Sequence, residues 1–373
     1  MLTWCLTRRT LLASVVLAGC KRQLARRYFG WLFIASASER GIAVADLSLF
    51  RRVTTISLST VPGQVLLAGK RVFVTCPEAH VLCEIDPVHL RVAGKVDVGS
   101  RIVAAAVTPA GGLAAITDQP AALHLIDPAT RRVTKKIALP PGPLGLDVSD
   151  TMAAVTLGPL NAIVRVPLSA NKPEGTTAIG SRCGAISFRK DGETILVAAP
   201  DAKEIITIDA ATGALLTRLP LSFAPARFCP DSDGGQIFVT GMDGDALVIV
   251  YPYQNQIDQT IVAGSRPFGM AVSAVDGQEL LFVTNPGSGD LSIFDVGTRR
   301  LAASVHVGGD PGEVLLTADG EYALAIDQDS GDVAVVRVRS VLARDMKTKP
   351  LFTFFPTAAR PQSAAIVPAE GQA

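Results

Sequence analysis

Net charge is what this sequence lacks most plainly. Lys and Arg number 35 against 34 Asp and Glu over 373 residues, so no whole-surface field exists to recruit nucleic acid or an anionic bilayer, and nucleic acid is not expected as a partner. Histidine is scarce. The four histidines, His80, His89, His124 and His306, fall at different places in the chain's repeated pattern, so they neither form a paired-His metal motif nor converge on a base. Aromatics are 5% of the chain and charged residues 18%, while 48% is hydrophobic, a composition that builds a large core and excludes disorder. No Walker loop and no nucleophile elbow is present. The sequence therefore names no cofactor, no metal and no catalytic residue.

The apolar run near the start, Leu11 to Ala18, covers eight residues. That is too short for a hydrocarbon core that needs about 20. With Arg8 and Arg9 before it and small residues after it, the run reads as a secretory leader. Leu17-Ala18-Gly19-Cys20 resembles the bacterial lipobox, whose cysteine receives diacylglycerol and becomes the new N-terminus. The expectation is a cleaved signal at 1–19, a lipidated tether at 20–30 with Cys20 as the acylated residue and the membrane as its partner, and a domain at 31–370. Thr7-Arg8-Arg9-Thr10-Leu11-Leu12 also resembles a twin-arginine signal, which leaves the export route open. Lys21 after the cysteine, by resemblance to the enterobacterial sorting pattern, places the anchor in the outer membrane, facing the periplasm or the cell surface.

Self-similarity at a period of about 42 residues dominates the rest. One unit reads Ser265 to Val272 as a strand, Asp276-Gly277 as a turn, Leu281-Phe282-Val283-Thr284-Asn285 as a second strand, Leu291 to Asp295 as a third and Ala302 to Val307 as a fourth. Each strand is short and rich in apolar or β-branched residues. Equivalent second-strand positions fall at Ala35, Thr75, Thr117, Thr156, Ala198, Thr240, Thr284 and Ala325. Four antiparallel strands make one blade, and the anchors predict eight blades, with seven as the alternative. The first unit begins at its second strand, Leu32-Phe33-Ile34-Ala35, and its missing first strand is predicted at Arg360 to Val367. The C-terminus then closes a ring and leaves no free sheet edge. Aspartates that end the third strands, such as Asp86, Asp127 and Asp209, are read as turn formers, because a carboxylate there accepts a backbone N–H two residues on.

Val72-Phe73-Val74-Thr75 and Leu281-Phe282-Val283-Thr284-Asn285 resemble the strand that gives the YVTN-repeat propellers of the surface-layer and YncE-like type their name. The resemblance covers residues 31 to 370 and implies an all-β propeller. Most members of that family have seven blades, so a count of eight departs from it. WD40 repeats do not fit, because the sequence has no Trp-Asp dipeptide.

Four thiols remain in the mature chain besides Cys20. Cys76 and Cys83 lie on adjacent strands, and a turn centred on Ala79-His80 would set them opposite each other for a disulfide. Cys183 and Cys229 are read as out of reach of one another and simply packed. Asp327, Asp329 and Asp332 could offer oxygen ligands to a hard cation, but the same slot in the preceding blade is an ordinary polar turn, and the turn reading is preferred. Arg101, Arg182, Arg266 and Arg360 occupy one equivalent site at the entries of four inner strands, alternating with Val61, Gly142, Ala224 and Asp310. This alternation predicts a cationic crown on one mouth of the channel, for an anionic small molecule or acidic groups of an envelope protein. The function expected is a non-catalytic binding or scaffold module. The rival is a propeller enzyme or enzyme accessory chain, of lactonase-like or quinone-linked dehydrogenase type, which the resemblance alone suggests.

Overall fold

The computed structural model describes residues 27–241, 243–275, 277–342 and 349–369. The leader, Cys20 and Asp276 lie outside the described residues. Eight four-stranded antiparallel sheets are arranged as the blades of a closed β-propeller. The inner strands, in blade order, are Pro361–Pro368, Val65–Ala68, Ile102–Val107, Pro143–Val148, Ile186–Phe188, Pro225–Pro230, Met270–Val275 and Pro311–Leu316.

Burial follows the layering. Second strands such as Met152–Leu157, Thr194–Ala199 and Tyr322–Asp327 are buried at every residue, because both faces of a blade are covered by its neighbours. Outer strands such as Arg91–Asp97 and Arg132–Ala138 alternate between exposed and covered. Side chains of one strand point alternately to its two faces. Leu32 and Ile34 therefore join Leu324 and Val335 of blade 8, while Phe33 and Ala35 join Val72 and Val74 of blade 2.

The ring closes as the repeat phase predicts. Pro361–Pro368 pairs antiparallel with Gly30–Ser36, with Leu32 opposite Ile366 and Ala35 opposite Ser363. Blade 1 is thus built from both ends of the chain. Its outer two strands are Gly41–Asp46 and Arg51–Ser57.

Third-strand aspartates act as turn formers. Asp86 Oδ1 accepts the N–H groups of Val88 and His89 at 2.9 and 3.0 Å, Asp127 Oδ1 that of Ala129 at 2.8 Å, and Asp209 Oδ1 that of Thr212 at 2.7 Å. In seven of the eight blades a register shift separates the third and fourth strands. Such bulges bend the outer strand around the blade.

Candidate functional site

Inner strands run from one end of the disc, where the preceding blade's outer strand delivers the chain, to the other. Residues that open them must share one rim of the channel. Arg101, Arg182, Arg266 and Arg360 all stand on that rim, together with Val61, Gly142, Ala224 and Asp310. Their surroundings split them into two pairs. Arg101 donates from Nε to Glu78 at 2.9 Å and from a terminal nitrogen to Asp118 at 3.4 Å. Arg182 holds Asp201 through two nitrogens at 3.0 and 2.9 Å. These hydrogen bonds, to Glu78 first and then Asp118 for Arg101, and to Asp201 for Arg182, raise both guanidinium pKa values. Arg266 and Arg360 are exposed, and neither side chain has a hydrogen-bond or ion-pair partner among the described residues. Both have left-handed backbone, φ +55° and +52°, as does Gly142 at φ +77° on the same circle. The rim thus carries two neutralised cations and two available ones.

A third available cation lies deeper. Arg227 sits in the inner strand of blade 6, three residues beyond Ala224, and its guanidinium stacks 3.9 Å above the ring of Phe268 from blade 7. No carboxylate lies within ion-pair distance of it among the described residues. Arg227, Phe228, Met270, Ser187 and Asp147 line a cavity of about 270 Å³. The side chain is exposed to the water of the channel, yet the protein packed about its base partly desolvates it and lowers its pKa against an opposing pull from Glu313. It remains a cation, as arginine does in proteins.

The slot that holds Arg227 carries Ser363, Gln64 and Glu313 in other blades. Those three side chains turn sideways: Ser363 accepts Val65 N–H at 3.2 Å, Gln64 accepts Ala105 N–H at 2.8 Å and Glu313 accepts Ala364 N–H at 3.0 Å. Asp147, two residues further along its strand, accepts Phe188 N–H at 2.7 Å and Val148 N–H at 2.9 Å. Burial raises the pKa of both Asp147 and Glu313 against those hydrogen bonds. In each case the polar group satisfies an N–H of the neighbouring inner strand. Arg227 has no hydrogen-bond acceptor among the described residues, which sets it apart from these four.

The other candidates have structural roles. Asp327 Oδ1 accepts the N–H groups of Asp329 and Ser330 and Oδ2 accepts that of Asp310, at 3.0, 2.8 and 2.9 Å. Burial opposes its ionisation, but these bonds outweigh that and lower its pKa. Among the described residues no group of three His, Cys, Asp or Glu could hold a metal ion. His124 is 1% exposed, with Nε2 at 3.2 Å from Thr117 Oγ1. Cys183 is buried and Cys229 half-buried, and burial pushes their thiols up to about 11 and about 12.

Cys76 and Cys83 differ from the directly opposed pair expected. Cys76 pairs with Val81 and Cys83 with Val74, because Pro77–Ala79 forms a 3₁₀ turn closed by left-handed His80. The shift is two residues, so both side chains stay on one face. The thiols are free and buried, 3.7 Å apart.

No described family matches the chain by sequence profile, and no curated protein matches it. Solved structures do. The dihydro-heme d1 dehydrogenase NirN, in complex with DHE, is similar at TM-score 0.72 and 16% identity over 90% of this chain and 74% of that one. Hydrazine synthase of Kuenenia stuttgartiensis is similar at 0.56 and 19%, over 74% of this chain and 95% of that one. A functionally unknown protein of Desulfotomaculum acetoxidans DSM 771 gives 0.59 and 14%, over 91% and 99%. At these identities the likeness is one of fold.

Proposed function

We propose that this chain is an exported binding propeller, held on a membrane through acylated Cys20, which takes a carboxylate-bearing planar ligand at the rim and upper channel. It is read as a distant YVTN-type propeller without a catalytic centre of its own. The observation that carries the reading is Arg227, an exposed guanidinium stacked on Phe268 that lines a cavity and has no ion-pair partner among the described residues.

Arg266 and Arg360 supply two more cations on the rim above it. Apolar side chains also face this part of the ring: Phe268 of blade 7 and Leu144 of blade 4 stand two residues inside the rim on their strands, and Leu144 is exposed. Cations set in apolar surroundings suit a flat body with anionic arms. A tetrapyrrole with carboxylate side chains has that chemistry, and the fold shared with a structure in complex with DHE supports choosing it as a probe. Arg227 would hold a carboxylate through its fork and Phe268 would fix the fork's plane. Neither residue supplies a reaction.

The test is an absorbance titration of the purified protein with hemin as the probe. Arg227→Gln should bind about ten- to a hundredfold more weakly, the worth of one charge-assisted hydrogen-bonded pair. Arg101→Gln, whose side chain is already neutralised, should bind as the wild type does. Equal affinity in wild type and Arg227→Gln would remove the site.

A further inference from the structure

The end of the disc opposite the arginine rim is where the chain enters the propeller. Gly30 pairs with Pro368, the last residue of the closing strand, and Phe29 accepts the N–H of Ala369 at 2.9 Å. Only residues 21–26 separate Cys20 from Arg27. At no more than ~3.6 Å per residue, the seven steps leave Cys20 within about 25 Å of Arg27, which precedes that end by only two residues.

The surface there mixes exposed apolar and basic side chains. Phe29, Leu49 and Val88 are 47%, 48% and 70% exposed. Leu49 and Val88 occupy the turns between third and fourth strands of blades 1 and 2. Arg51, Lys70 and Arg91 stand at the same end of the same two blades, exposed and without an ion-pair partner among the described residues. The acids opposite Arg51 and Arg91 in the strand register, Asp46 and Asp86, are engaged by their own turns, Asp46 with Ser48 N–H at 2.7 Å and Asp86 with Val88 and His89. Apolar tips interleaved with free cations match the boundary between anionic headgroups and acyl chains.

We infer that this end of blades 1 and 2, through Phe29, Leu49, Val88, Arg51, Lys70 and Arg91, lies against an anionic bilayer, so that the arginine rim opens away from the membrane. The inference uses the proposed anchor at Cys20 to bring the surface to the bilayer. The surface itself is a separate feature. The strands of a blade span about 20 Å, so a ligand at the rim is delivered from the aqueous side and not from the lipid.

Two measurements test it. Unanchored Cys20→Ser protein is sedimented with vesicles of phosphatidylcholine alone and of phosphatidylcholine with 30% phosphatidylglycerol, the latter about 30 mol % by design. Preference for the anionic vesicles is expected, and the triple change Arg51→Gln, Lys70→Gln and Arg91→Gln should lower partitioning about a hundredfold, each cation near the surface counting for roughly a factor of five. No preference, or no effect of the triple change, overturns the surface. Acylated protein carrying a bimane label at Val88→Cys or at Leu160→Cys, which lies on the rim side, is then reconstituted with doxyl lipids. Quenching at 88 and not at 160 supports the orientation; quenching at 160, or at neither, overturns it. Mass spectrometry of the N-terminal peptide reads the anchor independently, so an unmodified Cys20 with vesicle binding intact would remove the anchor and leave the surface standing.

Discussion

The guanidinium of Arg227 lies 3.9 Å above the ring of Phe268, so adjacent blades meet on the channel wall through a cation–π contact. Such a contact contributes about 0.5–2 kcal/mol, more as water is excluded. It also fixes the plane in which Arg227 presents its N–H groups. Phe268→Leu keeps the apolar volume close to the original and removes the ring. The expected result is hemin binding weakened by about 1 kcal/mol with the melting temperature little changed. A variant that binds as tightly as wild type would show that the ring does not position the arginine.

Closure makes a second prediction. Removing residues 360–373 deletes Pro361–Pro368 and leaves Gly30–Ser36, a strand buried almost throughout, as an open edge. Unpaired edges of this kind template aggregation. The truncated protein should be insoluble or should melt without cooperativity, read by light scattering and calorimetry. A soluble, cooperative truncation would contradict the ring's dependence on that strand.

The propeller was legible because its determinants are local and repeated. Asp127 and Asp209 announce their turns by position, and Pro361 stands where Pro267 and Pro311 stand in other blades. Pairing across loops was not legible. Whether Arg101 is free depends on where Glu78 reaches, and Glu78 sits in a 3₁₀ turn that the sequence does not distinguish from a plain hairpin. The same turn decides the register of Cys76 and Cys83. Arg227 was missed for a related reason: in Pro225-Ala226-Arg227-Phe228-Cys229 a lone arginine in a strand reads as a surface residue. Its slot three residues inside the rim, shared with Glu313 and Gln64, was the available signal.

Cys76 and Cys83 provide a third prediction. Their sulfurs are 3.7 Å apart and must approach to about 2.05 Å to bond. The hydrogen bond from Cys76 lowers the Cys83 thiol to about 7, and the same contact raises Cys76. The thiolate of Cys83 is therefore the attacking group. Diamide, which accepts the two electrons and two protons released, should join the pair faster as pH rises through about 7. Thiol titration of the denatured Cys20→Ser protein should then find two fewer thiols, and Cys83→Ser should abolish the loss. The bond would close a short loop and add about 2 kcal/mol of stability. An unchanged thiol count would show that the strands hold the sulfurs apart.

His124 sets an acid limit on the fold. Its ring is buried, its Nδ1 has no partner, and Lys136 stands opposite it on the next strand. Desolvation first, and the charge of Lys136 second, lower its pKa from 6.5 to about 4. The unfolded chain therefore binds a proton between these values that the folded chain refuses. Stability is complete above pH 6.5 and falls as the pH drops toward 4, by about 3 kcal/mol in all. Thr117, the partner of Nε2, also donates to Pro120 O at 3.0 Å, so His124→Leu leaves no orphaned hydroxyl. Urea unfolding at pH 6.5 and pH 4 should show the wild type losing about 3 kcal/mol more than the leucine variant on acidification. Equal losses in the two proteins would mean that the carboxylates alone set the acid limit and that His124 is protonated in the folded state.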